Sequence, residues 1–433
     1  MWQMRGIRRG IGFAVTLAIG ACSKNDILTP DLPDFVFPED LEDVTGGTAV
    51  YAGAVSDLVV AMTGSSGVVL YSGLFTDELF NGSRDWDIRN VSPDNSRLEE
   101  GSSPVLLLHR ARNSFEIAAR KYASIFPAND PRIGEMWALA GMTYIVFGEN
   151  WCSGMPFSDR SVEPPVYGGP TTTAVMFQTA LERLTTAATL TGGNARITNL
   201  VAVLRGRALL NAGQFAEAAQ AVANVPTNFS YDFLHANPPA RQLNHIYLQN
   251  QREEYSVPNR EGVNGLDFVT AADRRVPVST PRPSASDGVT PQVFFLKYTS
   301  AADPVSMVNG IEARLIQAEA ALRASDLAGW LGRLNEARGT VAGLAPLTDP
   351  GSATARVDLM FRERAFSLFL TGHRLGDLRR LVRQYGRSAE SVYPVGPYHK
   401  GGVQYGQQVT LQVPKIEENN PSFHPGDCKV TTP

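Results

Sequence analysis

Val201-Ala202-Val203-Leu204-Arg205-Gly206-Arg207-Ala208-Leu209-Leu210-Asn211-Ala212-Gly213-Gln214-Phe215-Ala216-Glu217-Ala218-Ala219-Gln220-Ala221-Val222-Ala223-Asn224-Val225-Pro226 reads as two helices joined by a tight turn. Apolar spacing predicts helices over 201–212 and 215–225, with the hinge at 211–214 and Pro226 as the stop. Gly206, Ala208, Ala218 and Ala219 are small enough to let the two helices approach closely. Gly213 before Phe215, then Ala218, then Pro226, follows the turn and end pattern of a tetratricopeptide repeat. A second hairpin is predicted over 311–324 and 327–341, with Ala318, Ala320 and Ala321 on its close-packing face. Residues 110–125 paired with 132–147 are the candidate third unit. A generic helical bundle would share the same periodicity.

Working outward, further helices are predicted over 48–62, 104–125, 132–147 (ended by Gly148), 173–189, 357–369 and 373–385. In 104–125 the apolar face carries Leu107, Ala111, Phe115, Ala118 and Tyr122. The fold class is therefore mainly α, with helical hairpins as scaffold. Residues 63–103 and 227–306 have a different character, rich in Gly, Ser, Asn, Asp, Pro and aromatics. Long irregular segments inside a domain are characteristically functional or disordered, and the aromatic content favours ordered loops. A polar, Gly-rich stretch runs from 386 to 433.

The 433-residue chain opens with a basic segment (Arg5, Arg8, Arg9) and a short apolar run over 11–19 that ends at Ile19-Gly20-Ala21-Cys22. The run is too short to span a bilayer, and small residues before a cysteine form a lipobox. Residues 1–21 read as a lipoprotein signal peptide, Cys22 as the lipidated N-terminus, and 22–33, with Pro30 and Pro33, as a tether. Residues 34–433 then form one domain, since no low-complexity linker divides them. Removing 1–21 takes three arginines from 39 basic residues, leaving 36 against 43 acidic ones and a net charge near −7. An acidic body argues against nucleic acid as a partner. Hydrophobic residues make up 43% of the chain, enough for a large core. No further membrane-spanning segment is expected, so the membrane is met through the lipid anchor alone. Cys152 and Cys428 remain after Cys22; they either bridge, as exported cysteines tend to, or stay as two buried thiols.

The segment 362–380 places Arg362, Glu363, Arg364, His373, Arg374, Asp377, Arg379 and Arg380 in an otherwise apolar helical pattern. Such charges are costly to bury unless paired. Glu363, Arg374 and Asp377 are read as a structural network that satisfies its own members and the helix ends, rather than as acid–base catalysts. His373 has no second ligand at metal spacing, so no metal and no cofactor is expected.

This segment resembles the C-terminal signature of the SusD/RagB family of outer-membrane nutrient-binding lipoproteins. So does the order of other motifs. Residues 138–151, followed by Met155-Pro156-Phe157, are similar to the family's helix and turn. Asp273-Arg274-Arg275, Lys297-Tyr298, the run 312–320, and Val413-Pro414 with Asn420-Pro421 are similar to its later elements. Val413-Pro414-Lys415 lacks the family's second apolar-proline step. The resemblance covers nearly the whole mature length. It implies about four tetratricopeptide-like hairpins with long loops packed on one side. It also implies an outer-membrane location facing the exterior, capture of an oligosaccharide or a peptide, delivery to a SusC-like TonB-dependent transporter, and no enzymatic activity.

From the residues themselves, Asn81-Gly82-Ser83-Arg84-Asp85-Trp86-Asp87 is the ligand-site candidate. Sugar recognition needs an aromatic face beside polar groups that reach hydroxyls. Trp86 offers the first; Asn81, Arg84, Asp85 and Asp87 offer the second. The alternative is that Trp86 plugs the scaffold and the acids cap turns. Tyr231 and Tyr255 are further stacking candidates, while Phe233 is expected in the core. Two other functions stay open: a lipid-anchored glycan hydrolase, which would need a pair of carboxylates at glycosidase separation, and a protein-interaction scaffold built on the repeats.

Overall fold

Asp43, Asp130, Thr172, Asn194, Asn309, Asp326 and Ser352 each accept a hydrogen bond from a first-turn backbone N–H of the helix they precede. These side chains start the helices by satisfying donors that have no partner inside the helix. The computed structural model describes residues 43–83, 104–159, 164–402 and 404–433. Within them α1 is Val44–Thr63, α2 Val68–Phe75, α3 Pro104–Tyr122, α4 Pro131–Asn150, α5 Thr173–Ala188, α6 Ala195–Asn211 and α7 Phe215–Ala221. The series continues with α8 His245–Gln251, α9 Gly310–Arg323, α10 Leu327–Arg338, α11 Ala353–Ser367, α12 Arg374–Tyr385 and the short α13 Ala389–Val392.

The hairpin that opened the sequence reading is α6–α7. Gly213 adopts a positive φ of 79° at its turn. A Cβ on Gly206 would come within 2.5 Å of Val222 Cγ1, so the close approach needs glycine there. The second helix ends at Ala221, earlier than its apolar pattern suggests, and turns carry the chain through Val225. The expected hairpin α9–α10 is present, and α9 also packs on α6 and α7. The remaining pairing differs from expectation. Although α3 and α4 touch, α3 packs most extensively on α1, and α4 on α5. Helical hairpins α1–α3, α4–α5, α6–α7 and α9–α10 thus form the scaffold, with α12 lying across α4 and α2.

Two further differences have local causes. Gly148 does not end α4, which runs to Asn150. The glycine serves packing: a Cβ there would meet the Phe177 ring at 2.7 Å. Within 63–103, residues Val68–Phe75 are helical where an irregular stretch was expected, and every one of them is buried. A helix buried all round shows no amphipathic period. Residues 44–75 are long and apolar enough to cross a membrane, but 83% of their most apolar 18-residue window is buried inside the protein, as befits core helices.

The irregular segments are ordered by two-stranded ladders. β1 (Phe80–Asn81) pairs with β5 (Tyr255–Ser256), β2 (Met155–Pro156) with β3 (Pro170–Thr171), and β4 (Ser230–Phe233) with β6 (Val305–Asn309), all antiparallel. Cys152 and Cys428 form a disulfide with their Cα atoms 5.4 Å apart, which ties the C-terminal tail to the end of α4.

The expected charge network is buried and paired: Asp377 is satisfied by Arg364 and Arg380 of the same segment, while Glu363 and Arg374 take partners from outside it. Glu363 is held by Arg275 and Arg338. Arg374 pairs with Asp77. Asp377 accepts from Arg364 Nε at 2.8 Å and Arg380 Nη2 at 2.9 Å. Burial pushes the Asp377 carboxyl up, yet the two guanidiniums outweigh it and hold it well below the usual carboxylate range. Glu363 and Arg374 tie earlier regions to the C-terminal helices, while Asp377 joins those two helices to each other.

Candidate functional site

Of the predicted ligand residues, three are corrected by their surroundings. Asn81 is 2% exposed, and its Oδ1 accepts from Ser83 N at 2.9 Å and Ser83 Oγ at 2.8 Å. Its side chain shapes a turn instead of meeting a ligand. Tyr231 is 3% exposed. Its hydroxyl donates to Glu135 at 2.6 Å and the Arg196 guanidinium lies 4.2 Å from its ring centre. Tyr255 is equally buried, at the β1–β5 ladder. Neither tyrosine offers an open face for stacking. Phe233 lies in the core as expected. Arg84, Asp85, Trp86 and Asp87, like Cys22, lie outside the described residues.

The structure does show the root from which the Trp86-bearing stretch departs. At β1, three segments distant in sequence converge. Gly82 N donates to Glu254 O at 2.7 Å, and Asp287 N donates to Gly82 O at 2.8 Å. Lys400 Nζ donates to Ser83 O at 2.6 Å and to Asp287 Oδ2 at 3.1 Å. A Cβ on Gly82 would sit 2.6 Å from Ala285 Cβ, so the junction requires glycine. Burial pushes the Asp287 carboxyl up, but hydrogen bonds from Thr290, Val289 and Lys400 outweigh it and leave it at about 2. It is therefore an anion at any ordinary pH and holds the lysine in place.

His399 closes this junction. Its ring packs at a tilt against Phe80 (centres 4.2 Å apart) and Tyr398 (4.1 Å), and Nε2 lies 3.2 Å from Asn81 O. A carbonyl only accepts, so Nε2 carries the proton. Burial lowers the imidazole to about 4, and it stays neutral near pH 7. Sequence reasoning missed Asp287, His399 and Lys400, because they come from segments more than 200 residues after β1.

A second feature is an open groove of about 870 Å³ along α1 and α3. Val50 and Ala54 of α1 with Leu107 and Ile117 of α3 give it apolar lining; Asp57, Arg110 and Arg241 supply charge. Asp57 accepts from Arg110 Nε at 3.2 Å, Ser114 Oγ at 3.2 Å and Arg241 Nη2 at 2.6 Å. Both arginines are about half exposed or more. Apolar wall beside guanidinium donors suits a ligand with apolar faces and acceptor oxygens. The stretch that leaves β1 at Ser83 re-enters the described chain at Pro104, whose helix lines this groove. Among the described residues, no three His, Cys, Asp or Glu side chains come together as a metal site.

No protein-family profile and no curated protein sequence matches the chain. Solved structures do. A SusD-like protein from Bacteroides fragilis superposes with a TM-score of 0.64 at 15% identity, over 90% of this chain and 98% of that one. A SusD superfamily protein from Parabacteroides distasonis gives 0.64 at 15% identity, over 88% and 98%. A SusD-like carbohydrate binding protein from Bacteroides vulgatus gives 0.62 at 14% identity, over 89% and 98%. The helical hairpins, the loops laid on them and the charge-laced C-terminal helices of this chain thus make up the SusD-like fold along nearly its whole length.

Proposed function

We propose that this chain is a SusD/RagB-type lipoprotein of the outer membrane that captures an oligosaccharide at the cell surface and passes it to a SusC-like TonB-dependent transporter. The observation that carries the reading is the end-to-end match of its architecture to SusD-like proteins, one of them described as carbohydrate binding. The lipobox at Cys22 supplies the anchor and supports the location. Binding without catalysis fits the same neighbour, and peptides are the second ligand class to screen. Trp86, with Arg84 and Asp85, is proposed as the stacking and hydroxyl-reading element, held at its root by the Gly82–Asp287–Lys400 junction. Residues 34–433 act as one binding unit.

The test is a glycan array and a peptide library probed with the domain from residue 34 onward, followed by calorimetry on the hits. A glycan hit with saturable binding and no hydrolysis product supports the proposal. Binding to neither library, or release of product from a bound glycan, overturns it. Cross-linking on intact cells then asks whether the captured partner is a plug-and-barrel transporter.

A further inference from the structure

Arg379 and Arg383 stand one turn apart on α12, so their side chains share a face of the helix. Arg379 is fully buried. Its Nη1 donates to Gly148 O at 2.7 Å, while Nε and Nη2 are buried without an acceptor. Arg383 is partly buried, its guanidinium carbon 5.9 Å from the centre of the Phe177 ring, and its Nη2 is also without an acceptor. Phe177 packs directly on Gly148, which brings the same corner of α4 to both arginines.

Among the described residues, neither arginine has a carboxylate partner. The acid nearest in sequence to Gly148 is Glu149, and it is taken: Arg207 donates to both of its oxygens and Asn211 to one. Arg380, the neighbour of both, has its own acids in Glu319 and Asp377. Tyr393, near both, gives its hydroxyl proton to Val409 O. Burial, with the Arg383 guanidinium, lowers Arg379 to about 9; burial, with the Arg380 guanidinium, lowers Arg383 to about 10. Both remain cations at neutral pH. Burying one unpaired guanidinium costs several kcal/mol, and two side by side cost more.

We infer that Arg379 and Arg383 hold a small inorganic anion at the junction of α4, α5 and α12, bound by Arg379 Nε and Nη2 and Arg383 Nη2. The forked donors of two guanidiniums suit either a halide or a tetrahedral oxyanion. The partial exposure of Arg383 gives the anion its way in. The site is separate from the β1 junction and does not depend on the proposed ligand.

The full chain is melted at constant ionic strength in gluconate, with chloride, sulfate or phosphate exchanged in. The melting temperature should rise along a saturation curve, by about 3 °C at a hundredfold excess over the dissociation constant. The anion that saturates first distinguishes halide from oxyanion. Arg379→Met should abolish the dependence. If that variant does not fold, crystals of the wild-type protein soaked in bromide give the answer: an anomalous peak within hydrogen-bonding reach of Arg379 Nε or Nη2 and of Arg383 Nη2 is expected. A rise in melting temperature without saturation, or a site that holds only ordered water both in crystals soaked in bromide and in crystals soaked in sulfate, overturns the inference.

Discussion

Arg374 and Asp77, 297 residues apart in sequence, meet in a two-pronged pair: Nε to Oδ1 at 2.7 Å and Nη2 to Oδ2 at 2.9 Å. Asp77 also accepts from Leu266 N at 2.8 Å, so one carboxylate joins the end of α2, the long loop region and α12. Both partners are buried. Asp77→Ala should cost roughly 3–5 kcal/mol in denaturant melts, since it strands a buried guanidinium. Asp377→Ala should cost a comparable amount by stranding Arg364. The double change Asp77→Leu with Arg374→Met should cost less than Asp77→Ala. If either single variant melts within about 0.5 kcal/mol of wild type, the pairs are not holding the helices together.

A pH prediction follows from His399. Its folded value of about 4 lies below the ordinary 6.5. Between the two values the unfolded chain binds more protons, so stability rises with pH. The contribution is complete above 6.5 and is lost as pH falls towards 4. Asp287 acts in a lower window, its stabilisation fading from 3.8 down to about 2. His109, His235 and His245 are also lowered by burial and add to the loss of stability as pH falls below 6.5. His399→Phe keeps a ring against Phe80 and Tyr398 and should flatten, without abolishing, the slope between pH 6.5 and 4. An unchanged slope in urea melts across that range would mean that His399 already titrates normally.

What was legible in the sequence follows from how each residue is used. Helices with one wet face announced themselves by period, and the α6–α7 turn was readable, although α6 begins at Ala195 rather than 201 and α7 ends at Ala221 rather than 225. α2 was not, because Val68 to Phe75 are buried on every side. Gly148 looked like a helix stop because a packing glycine and a terminating glycine are the same letter. The charged residues of 362–380 were recognisable as a buried set, whereas the partners outside it, Asp77 and Glu319, were fixed by tertiary contacts that no local pattern encodes. Tyr231 was misread for the same reason: Glu135, which takes its hydroxyl, is 96 residues away.

The disulfide offers a direct measurement. It links Cys152 to Cys428 across 276 residues, and Gly154 packs against Asp427 O so closely that a Cβ would sit 2.0 Å away. Loss of so long a cross-link should lower stability by about 2–5 kcal/mol. The double variant Cys152→Ser with Cys428→Ser should melt early and lose its C-terminal tail to protease first. Identical melts of the wild-type protein with and without reductant would show that the bond is not closed in solution.

Lipidation is the simplest prediction to check. The small residues Gly20 and Ala21 before Cys22 end a short apolar run. Mass spectrometry of membrane-extracted protein should find acyl chains on Cys22 as the mature N-terminus. Cys22→Ser should leave the protein in the soluble fraction. A mature end at any other residue defeats the reading.

The last prediction concerns ligand capture. Trp86 follows Ser83 by three residues, and Ser83 is clamped by Lys400 while Gly82 is clamped by Asp287 and Glu254. A firmly held root lets an aromatic ring be presented at low entropic cost. Ring stacking on a sugar is worth about 1–3 kcal/mol, so Trp86→Ala should weaken glycan binding roughly tenfold or more. The melting curve should barely move, because a presented ring contributes little to the core. Gly82→Val provides the complementary test. It leaves Trp86 in the sequence but forces Ala285 and the loop root apart, and it should weaken binding as well. A Trp86→Ala protein that binds normally but melts early would make the ring a structural plug. The ligand would then have to be sought in the groove of Asp57, Arg110 and Arg241, where Arg241→Ala becomes the variant to measure.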